Sequence, residues 1–96
     1  MKSNWFVYVL QCADTSLYTG ITTDTQRRVH EHNSGGIKSA KYTRNRLPVQ
    51  LMYQERCDCR SSATKREIAI KKLTRKQKLA LITRYQTHST TSASEQ

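Results

Sequence analysis

Apolar and polar positions at the start of the chain predict a β-hairpin. Segment 5–11 carries β-branched, aromatic or aliphatic side chains on both alternating sets of positions, which is typical of a strand covered on both faces. The turn-forming residues 13–16 follow, and segment 17–21 predicts a returning strand. The chain is therefore expected to begin with two adjacent antiparallel strands.

A helix is predicted directly after the hairpin. Thr23 and Gln26 have the spacing of a capping box, and Asp24 is an alternative cap, so the helix is expected from about residue 25 to residue 33. The sequence Ser-Gly-Gly at 34–36 is expected to end it.

A loop and a third strand are predicted next. Segment 37–46, called the basic loop below, is rich in cations and has little apolar periodicity. After Pro48, segment 49–54 alternates like a half-buried strand. The residues expected on one face of that strand are Val49, Leu51 and Tyr53.

Two further helices are predicted after the third strand. The first is expected from a cap at Ser61 or Ser62 to about Lys72, and the capping-box pair Thr74 and Gln77 is expected to open the second. The expected inward positions are Ala63, Ile70 and Leu73 in the first helix, and Leu79, Ile82 and Tyr85 in the second.

The order of these elements predicts an α+β fold, with a small three-stranded, mainly antiparallel sheet flanked by helices. One domain is expected over 1–86, and the polar segment 87–96 is predicted to be a disordered tail. The apolar run 5–10 is far shorter than the roughly 20 residues of a membrane span. We therefore expect a soluble, cytoplasmic protein that does not bind membranes.

The charge of the chain predicts a polyanionic partner. Seventeen Lys and Arg against seven Asp and Glu give a formal net charge of +10, which favours nucleic acid, whereas the plainer interpretation is a basic solvated surface. DNA is the expected partner, and RNA is not excluded. The candidate binding residues are Lys38, Lys41, Tyr42, Arg44, Arg46, Lys65, Arg66, Lys71 and Lys72.

The three cysteines predict free thiols rather than a metal site. Cys12, Cys57 and Cys59 are odd in number, which favours a reducing compartment. A zinc site would need a fourth ligand and longer spacers than the single residue between the last two, so zinc is disfavoured.

Glu67 is the one acid between Arg60 and Tyr85, a segment that holds nine Lys and Arg residues. The plain interpretation pairs it with Lys71, one helical turn away. The functional interpretation makes it a ligand for a hard metal such as Mg²⁺, with water and phosphate oxygens completing the coordination.

Arg28 and His32 lie four residues apart and are expected to share one face of the first helix. Arg28 is either a solvated surface residue or a functional one. In the second case its planar guanidinium would bind a phosphate and offset the negative charge formed during cleavage. His32 either has a structural role near the helix end, or orients water or relays a proton.

Tyr8 and Tyr18 are expected on adjacent strands of the hairpin, where tyrosines are usually core residues with a solvated hydroxyl. As a general base, Tyr8 would need its ordinary pKa of about 10 to be lowered, and Arg28 or a metal-bound water would act in that direction.

Taken together, these residues resemble the GIY-YIG nuclease family over about residues 5–82. Phe6-Val7-Tyr8 is similar to the first triplet, with Phe6 in place of glycine, and Tyr18-Thr19-Gly20 to the second, with Thr19 in place of an aliphatic residue. The family's catalytic arginine, the residue four positions later and the metal-binding glutamate are matched by Arg28, His32 and Glu67.

Within the family the chain most resembles the small stand-alone bacterial UPF0213-like members, through the run 40–44 and the segment that follows Glu67. The resemblance implies that Tyr8 is the general base, Tyr18 helps to place the water or the phosphate, and Arg28 stabilises the scissile phosphate. It also implies that Glu67 holds Mg²⁺ or Mn²⁺.

The function expected from the resemblance and the charge is that of a divalent-metal-dependent DNA endonuclease in repair or recombination. Because phosphate contacts carry no sequence information, cleavage is expected to be sequence-tolerant, with a preference for branched or flapped DNA. Two rivals remain open. One is a nucleic-acid-binding module or repair-complex adaptor with little cleavage, and the other is a structural partner protein; whether activity needs a protein partner is also left open.

Overall fold

A computed structural model describes residues 4–36, 38 and 40–94. Within these residues the elements are the strands β1 (Trp5–Gln11), β2 (Leu17–Thr22) and β3 (Gln50–Cys57), and the helices α1 (Thr25–Ser34), α2 (Lys41–Arg44), α3 (Arg60–Lys71) and α4 (Arg75–Ser94). In this part of the chain no helix is both long and apolar enough to cross a membrane.

The three strands form one antiparallel sheet in the order β2-β1-β3, which confirms the predicted α+β fold. The first strand is central, so its backbone is hydrogen-bonded on both sides. In the register, Tyr8 lies opposite Gly20 of β2 and opposite Gln54 of β3. The alternating side chains of β1 therefore supply both faces of the sheet.

Two apolar clusters lie on the two faces of the sheet. One contains Tyr8 and Leu10, which pack with Val29 of α1. The other contains Val7 and Val9, and it is completed from α3 and α4 by Ile70, Ile82 and partly buried Leu81 and Tyr85. The expectation that the first strand is covered on both faces is confirmed.

A bulge in β3 changes the predicted face of one residue. The register with β1 shifts between Val9 and Leu10, so that Val9 pairs with Tyr53 but Leu10 pairs with Leu51. Because Met52 is the additional residue at this point, Leu51 and Tyr53 join different clusters. Their predicted placement on one face is wrong.

Two of the three longer helices, α1 and α4, have an N-cap that the sequence predicts. The Asp24 carboxylate accepts a hydrogen bond from the backbone N–H of Arg27 at 3.0 Å, so the alternative cap of α1 is the observed one, and Gly35 ends the helix with φ 68°. Thr74 and Gln77 form the predicted capping box of α4, at 2.9 and 3.2 Å.

The helix α3 begins two or three residues earlier than predicted. Its N-cap is Cys59, and Ser62 is the reciprocating third residue, whose hydroxyl accepts from the Cys59 backbone N–H at 3.2 Å. The expected caps Ser61 and Ser62 are therefore wrong, because Ser62 serves the cap from inside the helix. Ala63 and Ile70 are buried as predicted.

Two other expectations about the helices are wrong. The basic loop contains the short helix α2, although its residues 37 and 39 lie outside those described. Leu79 is 38% exposed rather than inward, because α4 meets the sheet through other side chains. The helix α4 is described to Ser94. Residues 95–96 lie outside the described range. The domain boundary at 86 and the disordered tail over 87–96 stay predictions.

Candidate active site

Tyr8 stands at the centre of the site, on the middle strand and almost completely buried. Its ring lies across Gly20, the residue opposite it in the register. A Cβ atom at Gly20 would be 2.5 Å from the Tyr8 hydroxyl oxygen and 2.7 Å from Cζ, too close for any side chain. Glycine at this position therefore allows the tyrosine hydroxyl to lie where it does.

His32 is buried beneath Tyr8 and is hydrogen-bonded at both ring nitrogens. Its Nε2 lies 3.2 Å from the Tyr8 hydroxyl, and its Nδ1 lies 2.7 Å from the hydroxyl of Thr43 in α2. Burial, followed by the charge of Arg28, lowers the pKa of His32 from 6.5 to about 4. The imidazole is therefore neutral at physiological pH.

The phenol of Tyr8 is harder to ionise than the sequence interpretation requires. Burial is the main cause that raises its pKa from 10.0 to about 12, and the negative charge of Glu67 and the neighbouring Tyr18 add to the rise. A hydrogen-bonding interaction with Arg28 acts in the expected downward direction but is outweighed. Without a substrate, Tyr8 is a neutral phenol.

Arg28 is held in place beside Tyr8 by two acceptors. Its Nη1 donates to Glu31 Oε1 at 3.0 Å and also to the backbone carbonyl of Lys38 in the basic loop. The side chain is partly buried, whereas the neighbouring Arg27 is exposed, as expected for a solvated residue. The guanidinium is thus oriented before any phosphate arrives.

Glu67 forms an ion pair and is also largely shielded from solvent. Its Oε2 lies 3.2 Å from Lys71 Nζ, so the predicted ion pair is confirmed. Its side chain is nevertheless only 19% exposed, and its charge acts on the Tyr8 hydroxyl. The carboxylate therefore lies on the side of α3 that borders the site.

A hard divalent cation fits this single carboxylate. Within the described residues no group of three His, Cys, Asp or Glu side chains could enclose a metal. Mg²⁺ commonly binds through one or two carboxylates and completes its shell with water and substrate phosphate, which is what Glu67 offers.

Tyr18 belongs to an aromatic stack that leads outward from His32. The rings of Tyr18 and His32 are 5.4 Å apart, and Tyr18 stacks on Tyr42 of α2 at 5.8 Å. Arg46 lies 4.2 Å above the Tyr42 ring and forms an ion pair with Asp14 at 3.0 Å. Arg46 therefore fastens the basic loop to the hairpin turn.

The candidate nucleic-acid-binding residues fall into two groups. Lys38, Lys41, Arg44 and Tyr42 of the basic loop are exposed, the tyrosine at 41%. On α3, Arg66 is committed to an ion pair with Glu55 at 2.9 Å and Lys71 to Glu67, whereas Lys65 and Lys72 near its end are exposed. The loop is the group that lies against the site, through Lys38 and Thr43.

Thr43 is the site residue that the sequence reasoning missed. It is fully buried although it stands among exposed cations, and it contacts His32 directly. No periodicity marks it, since α2 has only four residues. The available signal was its place inside the run 40–44 that carries the family resemblance.

Comparison with known proteins identifies a matching family and several relatives of this chain. Residues 4–80 match the family described as the GIY-YIG catalytic domain. A UPF0213 protein of Desulfotalea psychrophila is 58% identical over 78 residues, which cover 81% of this chain and 70% of the relative. A UPF0213 protein of Haloquadratum walsbyi is 53% identical over 81 residues, which cover 84% of this chain and 89% of the relative.

Two solution NMR structures are similar in fold. That of a UPF0213 protein from Bacillus halodurans is 42% identical, with a TM-score of 0.53 and a coverage of 83% of both chains. That of a protein from E. faecalis is 42% identical, with a TM-score of 0.54, and the match covers 86% of this chain and 90% of the other.

Proposed function

This chain belongs to the GIY-YIG family, and from that premise we propose that it is a divalent-metal-dependent endonuclease that hydrolyses phosphodiester bonds of DNA. The observation that carries the proposal is the convergence of a buried Tyr8–His32 pair, an oriented Arg28 and the Glu67 carboxylate on one part of the fold. Phenol, imidazole, guanidinium and carboxylate are the groups that such a hydrolysis uses.

Tyr8 acts as the proton acceptor for the attacking water. As the water oxygen forms its bond to phosphorus, the water proton moves to the Tyr8 oxygen while the Tyr8 hydroxyl proton passes to His32 Nε2, 3.2 Å away. The ester bond to the leaving oxygen breaks, and that oxygen takes a proton from solvent. Tyr18, next to Tyr8 with ring centroids 6.4 Å apart, helps to place the water or the phosphate.

Arg28 stabilises the charge that grows on the phosphate oxygens during this step. A guanidinium presents a planar fork of donors that matches a phosphate, and its charge opposes the developing negative charge. Glu31 holds the fork through one nitrogen, at 3.0 Å, which leaves other N–H groups for the substrate.

Glu67 would hold Mg²⁺ or Mn²⁺, which when bound would neutralise phosphate charge and supply a more acidic water. The carboxylate is free to do so once Lys71 turns toward solvent, since that lysine is largely exposed. A single protein ligand predicts that the ion binds weakly without DNA.

The substrate is DNA held mainly through its phosphates. The exposed cations of the basic loop next to the site carry this contact, with Lys65 and Lys72 of α3 beyond it. Phosphate contacts are independent of sequence, so cleavage is sequence-tolerant and selects shape, such as a flap or a junction. Such activity suits DNA repair or recombination in the cytoplasm, and the three free thiols fit that reducing compartment.

The rival function is nucleic-acid binding with little cleavage. Two observations favour it. The pKa of about 12 keeps the Tyr8 phenol protonated, and the ion pair with Glu31 already occupies part of the Arg28 guanidinium. In that case the same basic loop binds nucleic acid, DNA or RNA, and the protein serves as an adaptor.

The deciding experiment incubates the protein with labelled duplex, single-stranded, flap and four-way-junction DNA in the presence of Mg²⁺, Mn²⁺ or EDTA. Glu67→Gln and Arg28→Ala should each reduce cleavage by about 100-fold or more while DNA binding persists. Matched controls are Arg27→Ala, an exposed neighbour on α1, and Asp58→Asn, an exposed carboxylate before α3. Retained binding with no product from the wild type on any DNA would favour the rival.

A further inference from the structure

A continuous chain of buried hydrogen bonds joins Tyr8 to the backbone of the basic loop. The Tyr8 hydroxyl lies 3.2 Å from His32 Nε2, His32 Nδ1 lies 2.7 Å from the Thr43 hydroxyl, and that hydroxyl lies 3.1 Å from the Ala40 carbonyl oxygen. The three side chains are 2% exposed or less. Water therefore does not compete for these bonds.

One tautomer of His32 gives a consistent direction to every hydrogen bond in this chain. At one end, the Tyr8 hydroxyl lies 3.2 Å from His32 Nε2, which can accept its proton, whereas the neighbouring Arg28 guanidinium offers donors only. At the other end, the single hydroxyl proton of Thr43 goes to the Ala40 carbonyl, so the Thr43 oxygen accepts from His32 Nδ1–H. The tautomer with the proton on Nδ1 satisfies both ends.

We propose that Thr43 is a positioning residue that holds His32 in its Nδ1-protonated tautomer, so that Nε2 accepts the Tyr8 proton while Tyr8 takes one from the attacking water. This step rests on the proposed function. One proton leaves the water and one arrives at His32, so Tyr8 is neutral before and after the transfer. The imidazolium that forms keeps its Nδ1–H bond to Thr43.

This relay accounts for a tyrosine that resists ionisation. A phenol buried as deeply as Tyr8 is costly to convert into a free phenolate. A concerted transfer to a neutral acceptor avoids that anion, and the negative charge of a bound phosphodiester offsets the positive charge gained by His32. The opposite tautomer would turn an N–H toward the Tyr8 oxygen and leave the phenol proton without an acceptor.

The test that does not depend on activity measures the side-chain nitrogens of His32 in ¹⁵N-labelled protein by NMR. We expect a protonated Nδ1 and an unprotonated Nε2 in the wild type and in Thr43→Ser. In Thr43→Val, which keeps the shape but removes the acceptor, the proton should shift toward Nε2. A wild type with its proton on Nε2, or a Thr43→Val spectrum like that of the wild type, would overturn the proposal.

Cleavage measurements test the consequence for the reaction. Thr43→Val should lose about 10- to 100-fold in single-turnover rate with DNA binding retained, and Thr43→Ser should recover most of it. Full activity of Thr43→Val would overturn the positioning role. If the tautomer is as expected but the wild type cleaves no DNA, the proposed function and the relay both fall, and only the tautomer assignment stands.

Discussion

Acidification should destabilise this fold through one buried imidazole, that of His32. The unfolded chain protonates this histidine near pH 6.5, whereas the folded protein does so only near pH 4. Between these values the unfolded state binds the additional proton, so the free energy of unfolding falls as the pH falls. The full effect of this difference is about 3 kcal/mol, and about 2.5 kcal/mol of it is reached by pH 4.5.

The assay is urea unfolding at a series of pH values from 7.5 to 4.5. His32→Gln removes the titrating group while keeping hydrogen-bonding capacity, and His30→Gln is the matched control because His30 is exposed on the same helix. We expect the wild type and His30→Gln to lose stability in parallel, and His32→Gln to lose about 2.5 kcal/mol less over this range.

Carboxylates also respond to acid, but they do not disturb this comparison. Asp14 and Glu31 have lowered pKa values, through their hydrogen bonds to Ser16 and Arg28 respectively, and their contributions are common to all three proteins. Equal pH dependence of the wild type and His32→Gln would refute the reasoning, because it would mean that His32 titrates alike in the folded and unfolded states.

Three further predictions concern the sheet and the loop. Gly20→Ala should push the Tyr8 hydroxyl away from His32 and cost about 1–3 kcal/mol, measured by urea unfolding, together with most of the cleavage; unchanged activity would contradict the close contact. Thr19→Val should stabilise the protein by about 1 kcal/mol in the same assay, because the buried Thr19 hydroxyl has no hydrogen-bond partner among the described residues; a loss of stability would show that it has one. Removing the exposed loop cations should lower the salt dependence of DNA binding by about 0.9 in slope per lost phosphate contact, and an unchanged slope would place the DNA on another face. These cations are Lys38, Lys41 and Arg44.

The sequence predicts those parts of the fold that depend on neighbours along the chain. The hairpin, the cap and end of α1 and the capping box of α4 follow from short patterns, because each depends on residues only a few positions apart. The nearness of Arg28 and His32 follows likewise from a four-residue step on one helix.

What the sequence does not predict depends on contacts between distant segments. The bulge at Met52 is set by pairing with β1, and no local pattern distinguishes it from regular alternation. The ion pairs of Arg46 and Arg66 join residues that are 32 and 11 positions apart, so both looked available for nucleic acid. The rise in the pKa of Tyr8 has the same origin, because burial is known only from the assembled fold.

Because β1 is the central strand, Tyr8 lies in the part of the sheet that opens least readily. A strand paired on both sides exchanges its amide hydrogens only when the whole sheet opens, whereas a short helix such as α2 opens on its own at much lower free energy. Tyr8 is anchored to the first kind of structure and Thr43 to the second. The position of the Tyr8 hydroxyl is therefore fixed by the sheet, whereas a local opening of α2 would break its connection to Thr43 and leave the sheet intact.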